Sequence, residues 1–546
     1  RTLPQANRWS AAIAPLILSW CTLLAGAVLL FSGATPIVTA RLGHLQQTLP
    51  LPLVEISHFL GSLIGAALLV LARGLQRRLD SAWWLITGLL SLGILGSLLK
   101  GFDYEEAILL GIILLALLLS RRQYYRKGTL IHDRFSLPWA ATILSIVLCS
   151  LWLGLFAYRN IEYSHELWWA FTIKGDASRF MRGSIGAISV VMLFSFAKLT
   201  SAQRPQAHPP TTDELALVRQ LVTASPVTST RLALLGDKSL LFNPQQTAFI
   251  MYGIQKRSWI SLGDPVGPEA ERAELVWQFR ELVDLYDGWP VFYQIRPENL
   301  SIYLDQGLTI LKLGEEARVP LTEFELSGGK RRKLRQAINH CEQAGCEFTI
   351  IPREQVPAIL PELKRISDDW LQSKSTKEKG FSLGYFDETY LSQFPIAVVK
   401  QRGTIIAFTN ILEGADKEEL SADLMRYDQT APPGVMEYLF VKLMLWGQTE
   451  GYAWFNFGMA PLSGIESRPL SPVWNRTANL IFRYGDHFYR FEGLRSYKEK
   501  FDPVWTPKYL AAPGGLALPQ ILRDLVALIG KTHTDSIRRS HDGPLG

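Results

Sequence analysis

Charged and amide side chains interrupt two apolar segments in the second half of this chain. Asp423 and Arg426 lie three residues apart in the strand-like segment Leu420 to Tyr427, and Asn456 interrupts an aromatic run. A charged side chain inside an apolar strand costs free energy unless it has a partner or a task. A carboxylate, a guanidinium and an amide could position a polar substrate, accept a proton and stabilise developing negative charge. The pattern therefore predicts a site.

The spacing of Asp423 and Arg426 sets a geometric condition on that site. Side chains alternate between the two faces of a regular strand, so residues three apart face opposite sides. A β-bulge shifts the alternation by one residue, and bulges are common beside active sites. We therefore expect a bulge in this strand, with a simple Asp–Arg surface pair as the alternative.

Further candidate side chains follow along the chain. Pro432-Pro433-Gly434 opens a predicted helix with Glu437 in its first turn, where a carboxylate also favours the helix dipole, so capping is an alternative to substrate binding. Arg495 and Lys498 follow an aromatic run and could stabilise an oxyanion. The amide of Asn456 needs partners if it is buried.

A basic segment separates two similar halves of the hydrophilic region. Five cations follow Ser327-Gly328-Gly329, and a helix is predicted from there to about Ala344. The acidic residues of this segment cannot neutralise these cations. Binding of an external polyanion is therefore favoured over a solvated helix face, and that polyanion would be RNA phosphate or a lipid headgroup. The five residues are Lys330, Arg331, Arg332, Lys333 and Arg335.

The first two hundred residues predict an α-helical transmembrane bundle. A membrane helix needs about 20 apolar residues, so the shorter runs need flanking aromatic residues or tilted neighbours. Basic loops on alternate sides orient the helices by the positive-inside rule, which places the C-terminal half in the cytoplasm. The six apolar runs are Ala11 to Phe31, Ile56 to Leu71, Ala82 to Leu99, Ala107 to Leu119, Pro138 to Ala157 and Ser184 to Leu199.

The remaining residues alternate short strands with helices in two similar passes, which predicts an α+β fold with a mixed sheet. One early strand is predicted at Arg231 to Leu235. The predicted organisation is a transmembrane domain (1–200), a proline-rich linker (201–212), a first α+β domain (213–326), a basic connecting helix (327–345), a second, catalytic α+β domain (346–512) and a C-terminal helix with a flexible tail (513–546).

Several classes of protein are disfavoured by composition and motifs. The four cysteines lack the spacing of a zinc site or a disulfide framework, and we expect no metal and no cofactor. No P-loop, HExxH or Gly-x-Ser-x-Gly motif is present. The net charge of +6 is modest for 546 residues, so charge alone identifies no nucleic-acid partner.

In its longest motifs the sequence resembles the phosphatidylglycerol aminoacyltransferases, the multiple peptide resistance factor family. The resemblance extends from the first membrane helix to about Ala512. It implies a multi-pass enzyme of the bacterial inner membrane, with a cytoplasmic tandem of two GNAT-like (acyl-CoA N-acyltransferase-like) folds joined by the basic helix. The matching segments are Gly263 to Gly267, Ser327 to Arg335, Asp423 to Tyr427, Val435 to Phe440, Phe455 to Ser463, and Gly493 to Lys498 with Phe501.

The resemblance also implies a reaction and its partners. A lysyl or alanyl group would pass from aminoacyl-tRNA to the glycerol hydroxyl of phosphatidylglycerol, giving aminoacyl-phosphatidylglycerol and resistance to cationic antimicrobial peptides. The membrane and both substrates are the implied partners, and the basic helix is the implied tRNA-binding element. The implied catalytic residues are Asp423, Arg426 and Lys498, and the implied substrate-binding residues are Glu437, Asn456, Arg495 and Tyr497.

Two alternatives stay open. One is a membrane-anchored acyltransferase with another donor, although the pyrophosphate-binding loop of acetyl-CoA-dependent GNAT enzymes is missing after Tyr427. The other is a lipid flippase or binding protein with an inactive GNAT scaffold. Longer family members carry a further N-terminal bundle that flips the lipid, so flipping by this chain alone is not expected. The sequence leaves open the donor amino acid, the general base, a missing N-terminal segment and the oligomeric state, a homo-oligomer included.

Overall fold

The structure is a computed structural model that describes residues 3–34, 51–101, 103–126, 137–157, 181–191, 208–374, 378–465 and 491–530. Contacts between residues divide the chain into two compact units. The first comprises Arg1–Pro205 with Leu285–Asp287, and the second comprises Gln206–Asp284 with Gly288–Gly546.

The described part of the first unit is helical at each of the six predicted apolar runs. Three helices are long and apolar enough to cross a membrane, over Ile13–Ser32, Ser57–Gln76 and Asp80–Leu99. Length and composition thus support membrane association, while a bundle of six spans stays a prediction. The helices are α1 (Leu3–Ala34), α2 (Leu51–Gln76), α3 (Asp80–Gly101), α4 (Tyr104–Leu119), α5 (Leu137–Ala157) and α6 (Met181–Val191).

Helices α1 and α2 approach each other closely at a pair of glycines. A Cβ atom on Gly26 would lie 2.8 Å from the carbonyl oxygen of Gly65, and a Cβ on Gly65 would lie equally close to that of Gly26. Small residues permit such backbone contact between apolar helices. The two glycines therefore fix how tightly this helix pair packs.

The second unit is α+β, as predicted, and contains one mixed sheet of 11 strands in the order β1-β2-β3-β4-β11-β5-β10-β9-β8-β7-β6. The strands are β1 (Ser239–Phe242), β2 (Phe249–Gln255), β3 (Ser258–Leu262), β4 (Trp289–Ile295), β5 (Thr309–Pro320), β6 (Cys346–Ile351), β7 (Ile396–Gln401), β8 (Thr404–Glu413), β9 (Glu419–Tyr427), β10 (Trp454–Pro461) and β11 (Val504–Ala512).

Nine helices accompany the described part of this sheet, and short 3-10 turns connect several of them. They are α7 (Thr212–Thr223), α8 (Glu269–Leu285), α9 (Leu300–Leu304), α10 (Arg332–Gln343), α11 (Val356–Ser373), α12 (Glu388–Leu391), α13 (Val435–Thr449), α14 (Phe491–Glu499) and α15 (Leu518–Ile529).

The same succession of elements occurs twice in the sheet. Strands β1, β2 and β3 are antiparallel, and α8 leads to β4, which is parallel to β3. Strands β7, β8 and β9 repeat this pattern, and α13 leads to β10, which is parallel to β9. Strand β11 then inserts between β4 and β5 and makes the sheet continuous. A tandem of two similar folds, as predicted, would contain this succession of strands and helix twice.

The predicted strand at Arg231 to Leu235 is wrong, because Thr228–Leu235 forms a 3-10 helix. Its polar side chains bind the second half of the sheet. The Thr228 hydroxyl donates to Glu419 at 2.6 Å, and Arg231 donates to the carbonyl oxygen of Glu413. Contacts distant in sequence thus override the strand-like local pattern.

The basic helix starts later than predicted. Helix α10 begins at Arg332, and the residues from Ser327 to Arg331 form turns. Gly328 has a φ of 81°, in the left-handed region that interrupts a right-handed helix. The predicted end of the helix near Ala344 agrees with the observed C-cap.

Candidate active site

The parallel strands β9 and β10 separate part of the way along their length. Asn456 and Ser421 are the last paired residues of this ladder, although both strands continue beyond them. In the corresponding pair of the first half, β3 and β4 stay paired to Leu262 and Tyr293, at the end of β3. The two parallel strands in the second half of the sheet therefore diverge beyond this pair, and the space between their diverging ends is the candidate cleft.

Strand β9 contains the predicted bulge. Ile411 of β8 pairs with Ala422, whereas Thr409 pairs with Met425. Two residues of β9 therefore lie opposite a single residue of β8 between these pairs. A bulge of this kind bends the strand and changes which face the following side chains occupy.

The hydrophobic contacts show that the alternation shifts at the bulge. Ala422 before it and Met425 after it pack in the cluster that contains α13, whereas Leu424 packs in the cluster that contains α11. Asp423 and Arg426 consequently share the α11 face of β9. The bulge brings these two predicted catalytic residues to one side of the sheet.

The Asp423 carboxylate is held at both oxygens. Oδ1 accepts the Gly384 N–H at 2.9 Å, and Oδ2 accepts the Tyr390 hydroxyl at 2.9 Å. Burial raises the pKa of Asp423, although these two donors and the charges of Lys238 and Arg426 oppose the rise. An oriented carboxylate with a raised pKa is suited to accept a proton.

The Arg426 guanidinium is fixed from three directions. Nη2 donates to Glu378 at 2.9 Å, Nη1 donates to the carbonyl oxygen of Met425 at 2.9 Å, and the group lies over the Trp370 ring at 4.4 Å. Burial lowers the pKa of Arg426, and Glu378 opposes this shift. Nε is buried without a hydrogen-bond partner among the described residues. This N–H can donate to the oxygen of a bound anion.

Lys498, in α14, lies on the β10 wall of the cleft. Its Nζ donates to the carbonyl oxygens of Gly458 at 2.9 Å and Met459 at 3.1 Å, and the residue is 5% exposed. Burial lowers the pKa of Lys498 to about 7, against the opposing charge of Glu316. This shift brings the loss of the ammonium proton toward neutral pH.

The predicted substrate-binding residues lie around α14 and β10. Glu437 accepts from Lys500 Nζ at 2.7 Å, and Arg495 donates to Glu315 at 2.6 Å. The Tyr497 hydroxyl is buried without a partner among the described residues, and burial followed by the Glu437 charge raises the pKa of Tyr497. Their roles toward a substrate stay predictions.

Asn456 has the partners that a buried amide requires. Its Nδ2 donates to Glu419 at 3.0 Å, and its Oδ1 accepts the Gly458 N–H at 2.7 Å. Both ends of the amide are thus used within the protein. If Asn456 influences substrate binding, it therefore does so indirectly. It holds Gly458, and the Gly458 carbonyl oxygen in turn accepts a hydrogen bond from Lys498.

The five basic residues before and within α10 divide into two groups. Arg331 donates to the carbonyl oxygen of Lys500 at 3.1 Å, and Arg335 donates to that of Gly328 at 2.8 Å. These two cations hold the backbone of the segment in place. The other three are exposed: Lys330, Arg332 and Lys333.

Sequence reasoning missed the residues that hold the predicted pair. Gly384, Tyr390 and Glu378 lie between α11 and β7, in a segment without a regular hydrophobic pattern. Their partners Asp423 and Arg426 are more than thirty residues away in sequence, so no local signal marks them. Among the described residues, no cluster of His, Cys, Asp and Glu has the geometry of a metal site.

Gly384 is required for the close approach to Asp423. A Cβ atom at position 384 would lie 1.8 Å from Asp423 Oδ2 and 2.6 Å from its Cγ. We expect Gly384→Ala to displace the carboxylate from its donors and to lower the free energy of unfolding by about 1–3 kcal/mol. Denaturant unfolding measures this loss. Gly88→Ala in α3, where the space for a Cβ is open, is the control, and equal stability of the two variants would contradict the contact.

Comparisons with known proteins agree with the motifs of the sequence. Residues 219–512 match the family described as phosphatidylglycerol lysyltransferase, C-terminal. The chain is 33% identical over 529 residues to phosphatidylglycerol lysyltransferase from Bacillus subtilis (strain 168), covering 95% of this chain and 60% of that protein. It is 37% identical over 276 residues to the protein of that name from Staphylococcus xylosus, covering 50% of this chain and 33% of that protein.

A solved structure extends the likeness to three dimensions. L-PGS from Bacillus licheniformis is similar with a TM-score of 0.52 and 37% identity, covering 60% of this chain and 100% of that chain. The present chain spans 60% of the length of the Bacillus subtilis relative. Because the matched family region comprises more than half of the sequence, the chain belongs to the phosphatidylglycerol lysyltransferase family.

Proposed function

We propose that this chain transfers an aminoacyl group from aminoacyl-tRNA to the glycerol hydroxyl of phosphatidylglycerol. The observation that carries the proposal is the divergence of β9 and β10 together with the bulge that turns Asp423 and Arg426 to one face of β9. The relatives' name, phosphatidylglycerol lysyltransferase, supports the lipid as acceptor and lysine as the amino acid. Alanine is the alternative donor residue.

In the proposed reaction the lipid hydroxyl oxygen attacks the ester carbonyl carbon of the aminoacyl-tRNA. The new ester bond forms as the bond between that carbon and the tRNA ribose oxygen breaks. The proton of the lipid hydroxyl passes to the ribose oxygen, so the products are aminoacyl-phosphatidylglycerol and free tRNA. Because the donor ester is already activated, the transfer needs positioning and charge stabilisation, without a covalent enzyme intermediate.

We assign a role to each residue of the predicted catalytic set. Asp423 accepts the hydroxyl proton, a role supported by its raised pKa and its two fixed donors. The free Nε of Arg426 and the ammonium of Lys498 stabilise the tetrahedral oxyanion or hold the lipid phosphate. Anchoring of the amino acid's α-ammonium group is the alternative role for Asp423.

Membrane location is part of the proposal. The three apolar helices in the first unit support membrane association, and the basic loops favour a cytoplasmic second unit. The bacterial relatives support a bacterial inner membrane as the location. Both substrates would then be accessible on the cytoplasmic side. Lysine would turn the anionic lipid cationic and alanine would neutralise it, so either product would weaken the attraction of cationic antimicrobial peptides.

The exposed cations of the basic segment should contribute to tRNA affinity. We expect replacement of Lys330, Arg332 and Lys333 by glutamine to reduce the slope of log affinity against log salt by about 2–3, because about 0.7–0.9 of a counterion is released per phosphate contact. Filter binding of tRNA over a salt series measures the slope.

The matched control replaces three exposed cations outside the basic segment of the same unit, Arg353, Lys364 and Lys417, each of which forms an ion pair, as Lys330 does with Asp502. We expect these substitutions to leave the salt dependence of tRNA binding nearly unchanged. Equal slopes for both triple variants would contradict the assignment of the basic segment.

Expression in a bacterial host that lacks aminoacylated lipids tests the activity. We expect chromatography and mass spectrometry of the extracted lipids to show a phosphatidylglycerol ester of lysine, or of alanine. A control culture should express the Asp423→Asn variant at the same level. Absence of any aminoacylated lipid with folded, membrane-associated protein would overturn the proposal.

A further inference from the structure

The bulge in β9 has a side-chain partner on the neighbouring strand. Asn410 of β8 lies opposite the bulge, between the pairs formed by Thr409 and Ile411. Its Oδ1 accepts the backbone N–H of Leu424 at 2.7 Å. A side-chain oxygen thus replaces the backbone acceptor that a regular ladder would have supplied.

The surroundings of Asn410 make an amide costly at this position. Asn410 is 0% exposed, and every other residue of β8 between its first and last positions is also buried. Its Nδ2 is buried with no partner at hydrogen-bond geometry among the described residues, although the side chain interacts with the Tyr390 hydroxyl. A buried polar atom without a partner costs about 1–3 kcal/mol. An apolar residue would remove the Nδ2 cost but would leave the buried Leu424 N–H without its acceptor, so the reason for an amide at this position lies in its contact with the bulge.

We propose that Asn410 is a positioning residue, which holds the β9 bulge through Leu424 and thereby keeps Asp423 and Arg426 on the same face. The chain of contacts is short. Asn410 fixes the backbone of Leu424, the residue directly after Asp423, and Met425 and Arg426 follow in the shifted register. Without the bulge, a spacing of three would direct the two catalytic side chains to opposite faces.

The proposal rests on the proposed transfer reaction for its kinetic readout, whereas its structural readout does not depend on any activity. Asn410→Leu removes the acceptor at similar volume. Asn410→Asp keeps an oxygen that can accept the Leu424 N–H bond. Asn243→Leu is the matched control, because Asn243 is another buried asparagine whose amide is bonded on both sides, to Thr247 and Glu271, in the first half of the sheet.

The first measurement is hydrogen–deuterium exchange at the Leu424 amide in the full-length protein in lipid nanodiscs. We expect exchange to become at least about 10-fold faster in Asn410→Leu, because the amide loses its acceptor, and to stay near the wild-type rate in Asn410→Asp and Asn243→Leu. Wild-type protection of Leu424 in Asn410→Leu would overturn the proposal, even if the protein had no transfer activity.

The second measurement is steady-state transfer, normalised to the folded fraction from near-ultraviolet circular dichroism. We expect Asn410→Leu to lower kcat by about 100-fold with little change in KM, because a displacement of about 1 Å at a reacting group has an effect of this size. Asn243→Leu should keep the wild-type kcat per folded molecule. A wild-type kcat in folded Asn410→Leu would overturn the proposal. If wild-type protein itself transfers nothing, the proposed function fails and the exchange result alone decides the role of Asn410.

Discussion

Asp423→Asn is expected to lower kcat for aminoacyl transfer by about 100- to 10,000-fold, the range for removal of a general base. Asparagine keeps the size of the side chain and an oxygen for the Gly384 N–H, but it cannot accept the lipid hydroxyl proton. KM for both substrates should change little. Initial rates with purified aminoacyl-tRNA and phosphatidylglycerol vesicles measure both constants.

A nearby carboxylate provides the control for this substitution. Asp428 follows β9 directly, and its carboxylate is already paired with Arg365 at 2.9 Å. Asp428→Asn should therefore transfer at nearly the wild-type rate. A large increase in KM for aminoacyl-tRNA with an unchanged kcat in Asp423→Asn would assign Asp423 to the α-ammonium group and contradict its role as base.

Lys498→Met should lower kcat by about 100- to 1,000-fold, as removal of one oxyanion donor does. Methionine has a similar length and no charge, so packing in the buried site is largely kept. Lys442→Met is the control, because Lys442 lies on α13 in an ion pair with Glu342. Equal rates for the two variants would contradict a catalytic role for Lys498.

The pH dependence of the wild-type rate follows from the same two residues. In the proposed reaction Lys498 acts as an ammonium ion, so the rate should fall as pH rises through about 7, the pKa of Lys498. Asp423 acts as a carboxylate, so the rate should fall as pH decreases through its raised pKa. Lys498→Arg, where active, should remove the alkaline decline, because arginine stays charged.

The free energy of unfolding should rise with pH as Lys498 loses its proton. Its pKa is lowered from 10.5 to about 7 in the folded protein. Between these values the unfolded chain binds the proton and the folded chain does not, so the free energy of unfolding contributed by this group rises with pH. In Lys498→Met this contribution is absent. The cost in stability of this buried lysine is thus largest below about pH 7 and declines as pH rises from there toward 10.5.

The α+β class and most strands and helices could be predicted from the sequence, because they follow from local periodicity, whereas the bulge was predicted from two candidate site residues spaced three apart. Asp423 and Arg426 lie three residues apart in an apolar strand, so they can share a site only if the strand contains a bulge. The structure contains that bulge. The 3-10 helix at Thr228–Leu235 could not be predicted, because its contacts to Glu413 and Glu419 are far away in sequence.

The candidate site was predicted less completely than the fold. Gly384 and Tyr390 carry no local signal, since their importance depends on contact with Asp423. Asn410 did carry a local signal, because an amide in an otherwise apolar strand needs a partner or a task. The same reasoning identified Asn456, whose amide is bonded at both ends within the protein.

The two halves of the sheet differ where a substrate would enter. Strands β3 and β4 stay paired to the end of β3, whereas β9 and β10 separate after Asn456 and Ser421. A closed ladder leaves no room for a substrate between parallel strands. The side chains that we propose as catalytic belong to the second half, and the first half contributes contacts from Thr228 and Arg231 to Glu419 and Glu413.

The central claim is that the cleft transfers an aminoacyl group from tRNA to phosphatidylglycerol. The most direct measurement supplies purified protein in phosphatidylglycerol nanodiscs with lysyl-tRNA, alanyl-tRNA or an acyl-CoA, each carrying a radioactive acyl group. The account predicts that radioactivity enters the lipid from one of the two charged tRNAs and that Asp423→Asn abolishes most of this transfer. Labelling of the lipid from acyl-CoA alone, or from no donor, would contradict it.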